Sequence, residues 1–82
     1  MELEIEEKLK KYILINVMKQ PNRNLDPSLA LVSSGIIDSF NLVDLALFVE
    51  DEFGVHIDDS ELNSATFDNV NQLTSLIKSR LK

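Results

Sequence analysis

Residues 35–54 read GIIDSFNLVDLALFVEDEFG, and this stretch decides the fold. From Ser39 to Phe53 the apolar spacing is that of a helix, and Gly54 is suited to end it in a left-handed conformation. Asp38 stands where a carboxylate can cap the first turn, which typically stabilises a helix by about 1 kcal/mol. The stretch therefore predicts a helix that presents one hydroxyl, that of Ser39, at its start.

A helical wheel divides the side chains of this helix into two apolar faces. The first face should pack in the core: Leu42, Leu45, Ala46, Val49 and Phe53. The second face is apolar with an acidic border, and we name it the docking face: Phe40, Val43, Leu47, Asp44, Glu50 and Asp51. A helix that buries one side does not need a second apolar face, so we interpret it as a partner-binding surface. The alternative is a central helix that is buried on most sides, and Phe48 fits neither face.

The segments before this helix predict a first helix and a long loop. Residues 2–18 carry apolar side chains at every fourth position: Ile5, Leu9, Ile13 and Val17. Residues 19–37 lose this pattern and contain Pro21 and Pro27, which favour turns. Four apolar side chains are expected to anchor this loop to the core: Leu25, Leu29, Leu31 and Val32.

The segments after it predict a short helical turn and a last helix. Asp58 or Asp59 is expected to cap the turn, which runs through Leu62, and Asp68 to cap the last helix. The apolar stripe of that helix is Val70, Leu73, Leu76, Ile77 and Leu81. Strand-like alternation is absent. We therefore expect an all-α four-helix bundle, with three longer helices and one short helix, in a single domain of residues 1–82.

Composition excludes several classes of function. The net charge of −6 argues against nucleic acid, which is bound through clustered Lys and Arg, and favours partners with basic surfaces. The absence of cysteine excludes disulfides and thiolate zinc sites. No apolar run approaches ~20 residues, and the acidic N-terminus does not read as a secretory signal. We expect a cytoplasmic monomer without membrane insertion.

The sequence does not indicate an enzyme. His56, the single histidine, lies beyond the far end of the central helix, about 25 Å from Ser39 at 1.5 Å per residue, so it cannot act as its base. The acidic residues lack the spacing of a calcium loop, and no metal site is expected.

Residues 34–81 resemble the 4'-phosphopantetheine-dependent carrier proteins, the acyl and peptidyl carrier family. The resemblance rests on motifs at family-like spacing: the Asp38-Ser39 pair, Phe40 directly after it, the acidic helix end at 50–54, Ile57 followed by acids, and Phe67-Asp68-Asn69-Val70. It also implies the order of elements, with a first helix and a long loop before the central helix.

The resemblance implies a role for each residue of the central motif. Ser39 would be the attachment site for 4'-phosphopantetheine, transferred from coenzyme A by a phosphopantetheinyl transferase with magnesium, and Asp38 would assist the transfer. The arm would supply a thiol that carries acyl or aminoacyl groups as thioesters. A loading ligase and downstream transferases or synthases would bind the docking face through their basic surfaces.

The cargo is less clearly indicated than the carrier role. The Gly-Ile-Ile-Asp-Ser string of residues 35–39 is similar to that of stand-alone D-alanyl, aminoacyl and specialised-metabolite carriers. Carriers of fatty acid synthesis usually have a small residue before the Asp-Ser pair, then Leu and an acid, whereas this chain has Ile37, Phe40 and Asn41. We expect a discrete carrier of a specialised pathway. The alternatives are a conventional fatty-acid or polyketide carrier and an unmodified acidic helical adaptor.

Overall fold

Three α-helices frame the chain in the computed structural model, which describes residues 2–81. Helix α1 spans Glu2–Tyr12, α2 spans Ser39–Phe53 and α3 spans Val70–Arg80. The described residues contain no strand, so the expected all-α class is confirmed. The expected domain of residues 1–82 also includes Met1 and Lys82, which lie outside the described residues.

The expected fourth helix is a single 3-10 turn, Asp59–Glu61. Asp58 caps it by accepting from the Ser60 N–H at 3.1 Å, while Glu61 Oε1 accepts from the Asp58 N–H at 3.0 Å. These reciprocal bonds form a capping box, which satisfies the donors of a turn too short to bury a face of its own. The prediction of three longer helices is thus confirmed for residues 2–81, and the prediction of a complete four-helix bundle is not.

The first helix changes its winding before it ends. Helix α1 continues into a π-helical turn, Ile13–Val17, so the predicted extent to residue 18 is nearly correct. A π turn takes more residues than an α turn, which shifts the side chains that follow. Both Ile13 and Leu14 are buried there, whereas the four-residue spacing predicted only Ile13.

One core lies between the three helices and the loop. Helices α1 and α3 pack against each other, and α2 contributes Leu42, Leu45 and Val49. The other buried apolar side chains come from both outer helices and from the connections: Ile5, Leu9, Ile13, Leu14, Leu25, Leu31, Ile37, Val55, Ile57, Phe67, Val70, Leu73 and Ile77. The predicted core face of α2 is correct, with Ala46 and Phe53 partly buried.

Phe48, which the wheel left unassigned, packs against the first helix. Its ring stacks on Tyr12 at 4.3 Å between centroids and meets the edge of Phe53 at 6.2 Å. Stacked and edge-on aromatic pairs add to the stability that comes from burial alone. Phe48 therefore packs α2 against α1 at the edge of the core.

The connection before α2 contains turns and no helix among residues 19–38. Leu25 and Leu31 are buried as expected, and Val32 is half-buried, but Leu29 is exposed. Asp26 begins a local turn: its carboxylate accepts from the Ser28 N–H at 2.9 Å, and its carbonyl accepts from the Leu29 N–H at 3.0 Å. The loop is ordered by anchors at a few positions.

The cap of α3 is Asn69, and the prediction of Asp68 is wrong. Asn69 Oδ1 accepts from the Gln72 N–H at 2.8 Å, which places the cap one residue later. The Asp68 carboxylate points away from the helix and accepts from the loop, at Val32 and Ser33. At the other end, Leu81 follows the helix and is exposed instead of completing the apolar stripe.

Candidate functional site

Asp38 caps the start of α2. Its backbone is extended (φ −87°, ψ 179°), and its Oδ1 accepts from the Asn41 N–H at 2.8 Å. Its carbonyl accepts the first intrahelical bond, from the Leu42 N–H at 2.9 Å. This is the arrangement of an N-cap residue, and it defines where the helix begins.

Ser39 is the first residue of α2, and its side chain is exposed. The N–H groups of Ser39 and Phe40 precede the first intrahelical bonds, so no carbonyl of the helix can reach them. These donors and the positive end of the helix dipole favour an anion beside the Ser39 hydroxyl. An exposed hydroxyl at such a position fits a phosphate ester.

Buried residues on both sides hold the Asp38-Ser39 pair in place. Ile37 is buried just before it, and its N–H donates to the Leu31 carbonyl at 2.9 Å. Leu42 is buried one turn after it. Two anchors therefore position a short exposed segment, which can present a side chain without losing its backbone geometry.

The docking face of α2 is exposed. Phe40 is 82% exposed, Leu47 58% and Val43 47%. The acidic residues around them, Asp44, Glu50 and Asp51, are exposed as well. The alternative in which α2 is buried on most sides is therefore wrong for this chain. These three neighbouring apolar side chains form an exposed apolar patch on α2.

His56 borders the docking face, which the sequence did not predict. Its Nδ1 lies 3.4 Å from Glu50 Oε2, at the rim of a cleft of about 90 Å³ between α2 and the following loop. Val43, Leu47 and Ile57 are among the residues that line this cleft. The sequence carries a weak signal for this contact, because Gly54 (φ 69°) turns the chain back along the helix that it ends.

The described side chains, those of residues 4–81, include no group of three or more His, Cys, Asp or Glu residues placed to hold a metal ion. None of the helices described is long and apolar enough to cross a membrane.

Comparison with known families agrees with this geometry. The model of a family described as the phosphopantetheine attachment site matches residues 11–77, which include all of α2 and most of α3. No curated protein matches the chain at a significant level. A capped helix start with an exposed serine, inside a match over most of the chain, shows that the protein belongs to the acyl and peptidyl carrier family, whose non-catalytic domains carry covalent 4'-phosphopantetheine.

Proposed function

We propose that Ser39 is the residue that receives 4'-phosphopantetheine and that the chain carries acyl or aminoacyl groups between biosynthetic enzymes. The observation that supports this assignment is the exposed Ser39 hydroxyl at the capped, positive end of α2. The capped turn at Asp59–Glu61 takes the place of the short fourth helix of the carrier bundle.

The transfer is a substitution at phosphorus. Ser39 Oγ forms a bond to the phosphorus that bears the pantetheine in coenzyme A, and the bond to the adenosine bisphosphate portion breaks. The hydroxyl proton would pass to a base of the phosphopantetheinyl transferase, adenosine 3',5'-bisphosphate would leave, and the magnesium ion of the transferase would stabilise the charge on the phosphates. The N–H groups of Ser39 and Phe40 then face the phosphodiester, where backbone donors stabilise its negative charge.

Asp38 has two roles in this proposal. Through Oδ1 it keeps α2 capped, so that the Ser39 hydroxyl stays at the helix start. Through its charge it assists the placement of the magnesium ion during transfer. The attached arm supplies the thiol on which acyl or aminoacyl groups travel as thioesters.

The docking face binds the transferase, the loading ligase and the downstream synthases or transferases. Phe40, Val43 and Leu47 provide the apolar contact, and the acidic residues around them pair with Arg and Lys of each partner. Exposed ion pairs contribute about 0 to 1 kcal/mol each, but they orient the encounter and raise its rate. Modest affinity lets the carrier leave one enzyme for the next.

A specialised pathway is the proposed setting. Ile37 before the Asp-Ser pair, and Phe40 and Asn41 after it, differ from the small, Leu and acidic residues usual in fatty acid synthesis. A conventional fatty-acid or polyketide carrier is the second candidate. Loading of the modified chain by aminoacyl ligases, compared with loading by acyl ligases, distinguishes the two.

The intact mass of the chain tests the assignment of Ser39. The purified protein is incubated with coenzyme A, magnesium and a promiscuous phosphopantetheinyl transferase, beside Ser39→Ala and the matched control Ser75→Ala, an exposed serine on α3. We expect one phosphopantetheinyl group on the wild type and on Ser75→Ala, and none on Ser39→Ala. No gain by a wild type that is folded by circular dichroism would favour the unmodified adaptor.

A further inference from the structure

Asp68 ties the start of α3 to the loop that precedes the attachment site. Its Oδ1 accepts from the N–H groups of Val32 and Ser33, both at 2.8 Å, and its Oδ2 accepts from Ser33 Oγ at 2.5 Å. Its own carbonyl accepts from the Leu31 N–H at 2.6 Å. Asp68 does not cap α3, because Asn69 does. The carboxylate is thus used for a contact across 35 residues or more.

These bonds to the Asp68 carboxylate favour its charged form. The hydrogen bonds from the Ser33 side chain and backbone, followed by that from Val32, lower the pKa of the Asp68 carboxyl below its ordinary value. The group is therefore ionised at neutral pH, and its bonds to the loop are charge-assisted. Such bonds are roughly twice as strong as neutral ones.

A short series of contacts leads from Asp68 to Ser39. The Asp68 carboxylate binds Val32 and Ser33, the two residues directly after Leu31, and the Leu31 carbonyl accepts from the Ile37 N–H at 2.9 Å. Ile37 is followed directly by Asp38, the cap of α2, and then by Ser39. The loop from 31 to 37 is therefore a closed turn, with its first residues bound to Asp68 and its last residue joined to the Asp38-Ser39 pair.

Side-chain burial accounts for only part of the order in this turn. Leu31 and Ile37 are buried and anchor its two ends, but residues 33–35 between them are exposed. An exposed segment without apolar contacts keeps a single conformation only where hydrogen bonds hold its backbone. The Asp68 carboxylate supplies bonds of this kind in the middle of the turn.

We propose that Asp68 is a positioning residue for phosphopantetheine transfer, acting through the loop to hold the Asp38-Ser39 pair in the geometry that the transferase accepts. This inference rests on the proposed assignment of Ser39. Asp68 touches neither coenzyme A nor the reacting hydroxyl. It contributes by restricting the segment before Ser39 to fewer conformations, so that the transferase meets the Ser39 hydroxyl more often in a reactive position.

The neighbouring residue offers a matched control. Asp68→Ala removes the bonds of the carboxylate to Val32 and Ser33 and keeps the backbone bond from Leu31. Asn69→Ala removes the cap of the same helix and leaves the carboxylate's bonds in place. Both variants should lose stability, because each removes side-chain acceptors at the start of α3. Only Asp68→Ala should disturb the turn before Ser39.

The experiment measures initial rates of transfer over a range of carrier concentrations, together with backbone hydrogen exchange. We expect Asp68→Ala to lower kcat/KM about tenfold, because positioning is lost, and Asn69→Ala to change it by less than about twofold. The Ile37 amide should lose exchange protection in Asp68→Ala and keep it in Asn69→Ala. Equal rates for the two variants, or an Ile37 amide that stays protected in Asp68→Ala, would overturn the inference.

Two further variants keep the test decisive. Ser33→Ala removes only the bond from the Ser33 hydroxyl and should slow transfer less than Asp68→Ala, which covers the case in which Asp68→Ala does not fold. Asp68→Asn keeps the shape and one acceptor oxygen and should restore part of the rate. If the wild type is not modified at all, the assignment of Ser39 fails, while exchange at Ile37, measured without transferase, still decides whether Asp68 orders the loop before Ser39.

Discussion

The starts of α2 and α3 are capped by the same kind of hydrogen bond, but the residues after the cap are exposed in α2 and buried in α3. Asp38 accepts from Asn41 N–H, and Asn69 accepts from Gln72 N–H, each at 2.8 Å and each from an extended backbone. The residue after Asn69 is Val70, which is fully buried. The residues after Asp38 are Ser39 and Phe40, which are exposed.

This difference shows how one local motif serves two purposes. At α3 the capped end is covered by the loop and contributes to the fold. At α2 the capped end is left open, so that its donors and its serine remain available to an enzyme. The proposed role of Ser39 therefore rests on the exposure of the start of α2, because the cap itself is common to both helices.

The largest expected effect is a difference in stability between variants of the apolar residues at the two helix starts, Val70 and Phe40. Val70→Ala should lower the free energy of unfolding by about 2 kcal/mol or more, because it removes two buried methyl groups and leaves a cavity. Phe40→Ala removes a larger but exposed side chain and should change it by less than about 0.5 kcal/mol. Urea unfolding measures both. A loss from Phe40→Ala as large as that from Val70→Ala would contradict the comparison.

The next effect tests whether the two caps are equivalent. Asp38→Ala and Asn69→Ala should each lower the free energy of unfolding by about 1 kcal/mol, since each removes one capping acceptor. Phosphopantetheinylation should slow strongly in Asp38→Ala alone. Thermal unfolding and intact mass measure the two properties separately, and equally fast modification of both variants would assign Asp38 a purely structural role.

The charges of the docking face should have a smaller effect, on rate. Asp44→Asn combined with Asp51→Asn should slow transfer roughly threefold to tenfold at low salt, because two pairs of up to about 1 kcal/mol are lost. The difference from wild type should shrink as salt screens the charges. Glu4→Gln combined with Glu7→Gln on α1 is the control with the same charge change. Equal slowing by the control would indicate a general effect of net charge.

The smallest expected effect is the pH dependence of an ion pair at the C-terminal end of α3. This ion pair joins the helix to the 3-10 turn at Asp59–Glu61. Arg80 donates to both carboxylate oxygens of Glu61 and to the His56 carbonyl. The hydrogen bonds from Arg80, followed by the bond from the Asp58 N–H, lower the pKa of Glu61 from 4.5 to about 2.

Because the pKa of Glu61 is lower in the folded state, its contribution to stability is present above pH 4.5 and is lost as the pH falls toward 2. We expect Glu61→Gln to be less stable than wild type at pH 6 and to approach it near pH 2.5. Urea unfolding over this range measures the difference. A difference that stays constant with pH would show that Glu61 does not act through its charge.

Local patterns were sufficient to predict where the three α-helices lie and which face of α2 is buried. The spacing of Leu42, Leu45 and Val49 predicted the buried face of α2, and Gly54 predicted its end. These predictions hold because helix periodicity, caps and left-handed glycines depend on residues within a few positions of one another. The exposed stripe of Phe40, Val43 and Leu47 follows from the same wheel.

Contacts between distant residues could not be predicted in this way. Asp68 was expected to cap α3, but Asn69, the next residue, caps it instead. The Asp68 carboxylate is used by the loop, more than thirty residues earlier in the chain, and local sequence does not show that contact. Phe48 had no assignment until Tyr12 of α1 was placed beside it.

The sequence alone determined where helices form, which faces are apolar and which serine follows a capping acid. Only the tertiary structure decided that the start of α2 is open and that the start of α3 is bound to the loop. The physical reason is that caps and periodicity are energies of neighbouring residues, whereas exposure and the partners of a carboxylate depend on how the whole chain packs.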